Sequence, residues 1–144
     1  MATQNYSNHT QFVPPFHFVL IPVLALTFIG SVVNLYLSWG DHQRLYSAAL
    51  IVVLSACMLL LSLLARIFAL KAQDRAIRAE ENLRHFAMTG KLLNPGLTVR
   101  QIVALRFASD AEFVALAHRA AKDALAPADI KKAVQSWRGD TYRV

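Results

Sequence analysis

Residues 16–37 read FHFVLIPVLALTFIGSVVNLYL, a run of 22 residues without a formal charge. An α-helix rises about 1.5 Å per residue, so the run is about 33 Å long, which is enough to cross a hydrocarbon core of roughly 30 Å. A secretory signal peptide is the competing interpretation, but residues 1–15 contain no Lys or Arg and the run exceeds the apolar core of such a peptide. The sequence therefore predicts a retained transmembrane helix.

A second uncharged run, LYSAALIVVLSACMLLLSLLA, occupies residues 45–65. The loop between the runs, residues 38–44, contains Gly40 and the charged residues Asp41 and Arg44. Two such runs predict a helical hairpin, because a helix satisfies its own backbone hydrogen bonds in lipid. Small and polar side chains favour contact between the two helices; they are Gly30, Ser31, Asn34, Ser47, Ala48, Ser55, Ala56 and Ser62.

Charge is confined to the C-terminal half of the chain. Of 15 basic and 9 acidic residues, only Arg44 and Asp41 precede residue 66, so the net charge of +6 arises after the second run. Such an apolar first half is not compatible with a soluble domain of this size. Under the positive-inside rule, the basic residues after the second run place both termini in the cytoplasm. These residues are Arg66, Lys71, Arg75, Arg78 and Arg84, and we expect the first four to lie at the membrane surface.

The second run is predicted to continue into water as one long helix. No Gly or Pro interrupts residues 45–89, and Gly90 is a typical residue to end a helix. Residues 66–93 therefore form a cytoplasmic helical extension in this interpretation. Ion pairs at i,i+4 spacing are expected to stabilise it; they are Asp74–Arg78, Glu80–Arg84 and Glu81–His85.

A small helical module is predicted at residues 94–144, after the turn sequence Asn94-Pro95-Gly96. Thr98 with Gln101, and Ser109 with Glu112, have capping-box spacing, which predicts helices that start near residues 99 and 110.

Pro127 is predicted to open a last helix, with an apolar face formed by Ile130, Val134 and Trp137 and an end at Gly139. Three short helices bury only a thin core, so we expect the module to dock on another surface.

Six side chains of this module are candidates for contact with a partner. The large apolar side chains either form the centre of the module or belong to an interface. The basic side chains also fit a helix-turn-helix, in which a second helix at residues 128–138 would enter a DNA groove. The interleaved Asp residues and the membrane attachment disfavour nucleic acid. The six are Phe107, Phe113, Lys131, Lys132, Trp137 and Arg138.

The sequence predicts no catalytic residue, no cofactor and no metal. It lacks the nucleotide-binding, metalloprotease and serine-hydrolase motifs, and Cys57 is its single cysteine. His17 leaves one alternative open, because a neutral imidazole in an apolar segment can bind the metal of a haem or pigment.

Four segments carry a resemblance that spans nearly the whole chain. They are FVPPFHF at residues 12–18, ALKAQDRAIRAEENLRHF at 69–86, LRFASDAEFVALA at 105–117 and SWRGDTYRV at 136–144. In these segments the chain resembles a family of small bacterial membrane proteins of unknown function. The resemblance implies a protein of the bacterial inner membrane and carries over no functional residue.

The predicted fold is an all-α membrane protein: a transmembrane hairpin whose second helix extends into the cytoplasm, followed by a small bundle of short helices. We expect a non-enzymatic accessory or interaction subunit that binds lipids and subunits of a larger membrane complex, respiratory or photosynthetic. The alternatives are a haem- or pigment-binding protein that uses His17 and a membrane-tethered nucleic-acid-binding module.

Overall fold

The computed structural model of the chain describes residues 4–9 and 12–140, and these residues are helical with no β-strand. A π-helical turn, Pro15–Leu20, leads into α1, Ile21–Leu37. The other helices are α2 (His42–Thr89), α3 (Val99–Leu105), α4 (Asp110–Lys122) and α5 (Pro127–Ala133). The chain divides into two compact units. We call Phe12–Ala69 the hairpin unit. The C-terminal unit consists of the residues from Leu70 onward together with residues 4–9, which we call the N-terminal segment.

Two helices, Pro15–Leu37 and His42–Thr89, are long and apolar enough to cross a membrane, as predicted, and the hairpin unit contains the first of them and the beginning of the second. Helix α2 begins at His42, three residues before the predicted start, because the Asp41 carboxylate accepts hydrogen bonds from the backbone N–H groups of Gln43 and Arg44. Gly40 has a φ of 101°, which suits a glycine in the tight turn before that cap.

Small side chains lie at the contact between the two helices of the hairpin unit. Ser31 Oγ is 3.0 Å from Ser55 Oγ, and both residues are buried, as is Ala48. These three residues belong to the set that the sequence predicts for helix contact, whereas Asn34 is exposed.

Large apolar side chains of the hairpin unit are mostly exposed. Only 6% of the apolar window of Pro15–Leu37 and 11% of that of His42–Thr89 is buried within the chain. Phe18, Leu26 and Leu54 illustrate the pattern, since each has more than 60% of its surface exposed. A core helix of a soluble protein has the opposite pattern, because its apolar side chains are covered by the rest of the fold.

Helix α2 is continuous over 48 residues, in agreement with the absence of Gly and Pro from its sequence. It ends before Gly90, which has a φ of 72° and donates its N–H to the carbonyl of Phe86. The predicted turn follows, with the Asn94 side chain accepting a hydrogen bond from the N–H of Gly96.

The C-terminal unit has its core among α3, α4 and α5. Leu105, Phe107, Phe113 and Ile130 are its largest fully buried side chains. Helix α3 starts after the capping box of Thr98 and Gln101, and α4 starts at Asp110, one residue after Ser109. Both starts confirm the prediction from capping-box spacing.

The prediction for α5 is wrong at its C-terminal end. The helix stops at Ala133, Val134 is extended, and Trp137 forms a β-bridge with Ala108 instead of continuing the helix to Gly139. Backbone hydrogen bonds across this bridge replace helical ones: the N–H of Arg138 donates to Phe107 O, and the N–H of Ser109 donates to Ser136 O. The second helix of the proposed helix-turn-helix is therefore only seven residues long, and Arg138 lies outside it.

Candidate interaction surface

The six predicted contact residues differ in exposure: two are buried, two are partly exposed and two are exposed. Phe107 and Phe113 are fully buried, so a partner cannot reach either ring while the unit is folded. Lys131 and Trp137 are partly exposed. Lys132 and Arg138 are exposed.

The N-terminal segment docks on a face formed by Phe107, Lys131, Lys132 and Trp137, which we call the docking face. The His9 ring lies 5.9 Å, centroid to centroid, from both the Phe107 ring and the Trp137 ring. The latter two rings are 4.9 Å apart. Aromatic pairs at such distances stabilise one another beyond the area they bury. Four of the predicted contact residues are therefore brought together, and their neighbour is the chain's own N-terminus.

Polar contacts supplement the aromatic ones at the docking face. Lys131 Nζ lies 3.1 Å from His9 Nε2, and Lys132 Nζ lies 5.9 Å from the centre of the Tyr6 ring. The N–H of Asp140 donates to the side-chain oxygen of Gln4 at 2.8 Å. These contacts join positions that are more than 120 residues apart in sequence, so spacing could not predict them.

The N-terminal segment has a local fold that presents its side chains. The Asn5 carboxamide oxygen accepts hydrogen bonds from the N–H groups of Ser7 and Asn8, and the Asn8 carboxamide oxygen accepts one from the N–H of Asn5. Asn side chains commonly stabilise turns in this way. The turn brings Tyr6 and His9 into a stacked pair with 5.7 Å between ring centroids.

Arg84 is the centre of an ion-pair cluster in the C-terminal unit. Its guanidinium donates to Asp110 Oδ1 at 2.8 Å, to Glu81 Oε2 at 3.0 Å and to the carbonyl of Ala108 at 2.8 Å. It also lies 4.2 Å from the centre of the Phe113 ring. The predicted pairs Glu80–Arg84 and Glu81–His85 are thus wrong. Arg84 binds Glu81 and Asp110 instead, because the packing of α4 on α2 brings Asp110 within reach.

A shallow cavity of about 360 Å³ lies at this cluster, lined by Glu80, Glu81, Arg84, Asp110 and Arg138. Arg138 adds a second cation 3.7 Å from the buried Glu81 carboxylate. The acidic and basic groups of the cavity are largely paired with each other. These ion pairs therefore hold α4 and the segment around Arg138 against α2.

Glu112 links the start of α4 to the segment after α5. Its carboxylate accepts hydrogen bonds from the N–H groups of Gln135 and Ser136, both at 3.0 Å, and from Ser109 at 3.4 Å. Burial raises the pKa of this carboxyl, but these hydrogen bonds lower it by more, so the pKa of Glu112 lies below its usual range. The capping-box spacing predicts the hydrogen bond with Ser109. It does not predict the hydrogen bonds with Gln135 and Ser136, which follow the end of α5.

His17 lies at the start of the hairpin unit, in the π-helical turn. Its Nδ1 is 3.0 Å from the carbonyl oxygen of Val13, and its ring is surrounded by the rings of Phe12, Phe16 and Phe18. Among the residues that the structure describes, no group of three His, Cys, Asp or Glu side chains could hold a metal ion. Arg66 lies in the same unit, with its guanidinium carbon 5.8 Å from the centre of the Phe16 ring.

The remaining basic candidates lie on α2. Lys71, Arg75 and Arg78 are exposed, and none of them has an ion pair with a described residue. Arg84 differs from them, since only 11% of its side chain is exposed and its charge is paired.

A family model described as a family of unknown function (DUF6526) matches residues 1–144. No curated protein and no solved structure matches the chain.

Proposed function

Because the chain belongs to a family of unknown function (DUF6526), its role is inferred from its structure, and we propose that it is a non-enzymatic integral membrane accessory or interaction subunit. The observation that carries this proposal is the exposure of large apolar side chains along both helices of the hairpin unit. In water this surface is unfavourable by roughly 25 cal/mol per Å², whereas in lipid it is solvated.

The hairpin would anchor the protein in the bacterial inner membrane and contact other subunits laterally. Ser31 and Ser55 contact each other across the two helices and Ala48 is buried, so the remaining circumference is available to lipid and to partners. A larger respiratory or photosynthetic complex is the partner that we propose for this surface.

Both termini would lie on the cytoplasmic side. Two observations support this placement: the basic residues after the second apolar run, and the contact of His9 with Phe107 and Trp137 in the C-terminal unit. If each apolar helix crosses the membrane once, the N-terminal segment and the docking face lie in the same compartment.

Gentle extraction of the tagged full-length protein from its native membranes tests the proposed function. Size-exclusion chromatography, mass-spectrometric identification of co-eluting proteins and an absorbance spectrum are measured on the same peak. A stoichiometric complex with other membrane subunits is expected. A colourless assembly of this chain alone would contradict the accessory role. A haem or pigment band that disappears in His17→Ala would replace it with the cofactor-binding function.

A further inference from the structure

Three cations of α2 form an exposed stripe along one face of the helix. Lys71, Arg75 and Arg78 are spaced by four and three residues, which places them on one face of an α-helix. Ile77 and Glu81, which are buried, lie on a different face of the same helix. The core of the C-terminal unit therefore leaves the whole stripe exposed.

The charge of this stripe is not neutralised by the described part of the chain. Its three side chains make no ion pair there, in contrast to Arg84, which binds Glu81 and Asp110. Asp74 and Glu80 are close in sequence but form no ion pair with the stripe among the described residues. Three neighbouring cations repel one another by Coulomb's law, so an anionic ligand would lower their free energy.

The stripe begins six residues after Ala65, the last residue of the uncharged run. At about 1.5 Å per residue, Lys71 lies about 9 Å along the helix from Ala65, Arg75 about 15 Å and Arg78 about 20 Å. The headgroup layer on each side of a bilayer is about 5 to 7 Å thick, and the Debye length at physiological salt is about 8 Å. Together these lengths reach about 13 to 15 Å, so Lys71 lies within electrostatic range of headgroups and Arg75 lies at its limit. Arg78 lies about 5 Å beyond it and reaches headgroups only through its long side chain, which on a helix is directed toward the N-terminus and so toward the apolar run.

We infer that Lys71, Arg75 and Arg78 bind anionic phospholipid headgroups, with Lys71 as the principal contact and Arg78 as the weakest. This inference rests on the proposed membrane anchoring and specifies a class of lipid for it. The occupant is a phospholipid headgroup and not an acidic protein surface, because the three cations follow directly on an apolar span and a headgroup layer is the nearest source of negative charge.

Native mass spectrometry of the full-length protein in nanodiscs of equal phosphatidylglycerol and phosphatidylcholine tests the inference. The ratio of the two lipids that remain bound is compared for wild type, for each single substitution to Gln, and for the triple variant. Wild type is expected to retain an excess of phosphatidylglycerol. Lys71→Gln is expected to lower the ratio by about fivefold, which corresponds to about 1 kcal/mol for a cation near an anionic surface. Arg75→Gln should lower it less, and Arg78→Gln least.

The matched control removes three other exposed cations, in Lys91→Gln/Arg100→Gln/Lys122→Gln, and should leave the lipid ratio unchanged. Equal retention of both lipids by wild type would overturn the inference, as would equal losses in the stripe variant and the control. A loss that is greatest for Arg78→Gln would overturn the assignment of Lys71 as the principal contact. Failure of membrane anchoring is detected separately, because the protein would then be released from membranes by alkaline carbonate.

Discussion

Arg84 connects parts of the C-terminal unit that are distant in sequence through one guanidinium group. Its contact with Glu81 is local, whereas Ala108 and Asp110 are 24 and 26 residues away. Helical spacing predicts only local partners, and for Arg84 it predicts an ion pair with Glu80 where the structure has one with Glu81. The sequence contains the correct residues, but the choice among acceptors depends on how α4 packs on α2.

Arg84→Met should destabilise the C-terminal unit by about 3 kcal/mol, because it leaves the buried Glu81 carboxylate without its nearest cation. Unfolding of the full-length protein in detergent is followed by Trp137 fluorescence in a Trp39→Phe background. Arg119→Met, an exposed position on α4, is the control and should change stability by less than about 0.5 kcal/mol. Equal unfolding midpoints for the two variants would refute the role of Arg84.

Glu112 gives the C-terminal unit a pH-dependent stability. Because the folded state holds the pKa of Glu112 below its usual range, the carboxylate stabilises the fold above about pH 4.3 and this stabilisation is lost as the pH falls further. Glu112→Gln should cost about 1 kcal/mol at neutral pH, because the charged acceptor of the hydrogen bonds from Gln135 and Ser136 is replaced by a neutral one.

The difference in unfolding free energy between wild type and Glu112→Gln should be constant from pH 6 to 8 and shrink below about pH 4.3. Comparing the two proteins at each pH cancels the titration of other carboxyl groups. A difference that grows on acidification would contradict the hydrogen-bond pattern seen at Gln135 and Ser136.

Among the elements, the sequence predicts those that depend on local signals. The apolar runs, the capping boxes and Gly90 predict α1, the long α2 and the starts of α3 and α4 correctly. The end of α5 is not predictable in this way, because Glu112, more than twenty residues earlier, binds the backbone of residues 135 and 136. Docking of the N-terminal segment also depends on distant contacts.

Removal of the docked side chains in Tyr6→Ala/His9→Ala should expose Trp137. In a Trp39→Phe background, we expect a red-shifted Trp137 emission and stronger quenching by acrylamide, because the His9 ring covers part of the indole. The matched control, His42→Ala/Tyr46→Ala, removes an exposed His and an exposed Tyr from the hairpin unit and should leave both signals unchanged. Unaltered quenching in the first variant would show that the segment does not cover the docking face.

In the whole molecule, a lipid-compatible hairpin unit is combined with a folded C-terminal unit to which the N-terminal segment belongs. The exposed apolar surface of the first and the paired charges of the second require different surroundings. The proposed topology, with both termini on one side of a membrane and the turn at Gly40 on the other, would provide both surroundings.

Cysteine accessibility in sealed inner-membrane vesicles of known orientation tests this arrangement most directly. In a Cys57→Ser background, single cysteines replace Ser7, Gln43 or Lys122, all of which are exposed. The account predicts that a membrane-impermeant maleimide labels positions 7 and 122 from the cytoplasmic side and position 43 only from the opposite side. Labelling of all three positions from one side would contradict a transmembrane hairpin, and labelling of positions 7 and 122 from opposite sides would contradict the shared compartment of the termini.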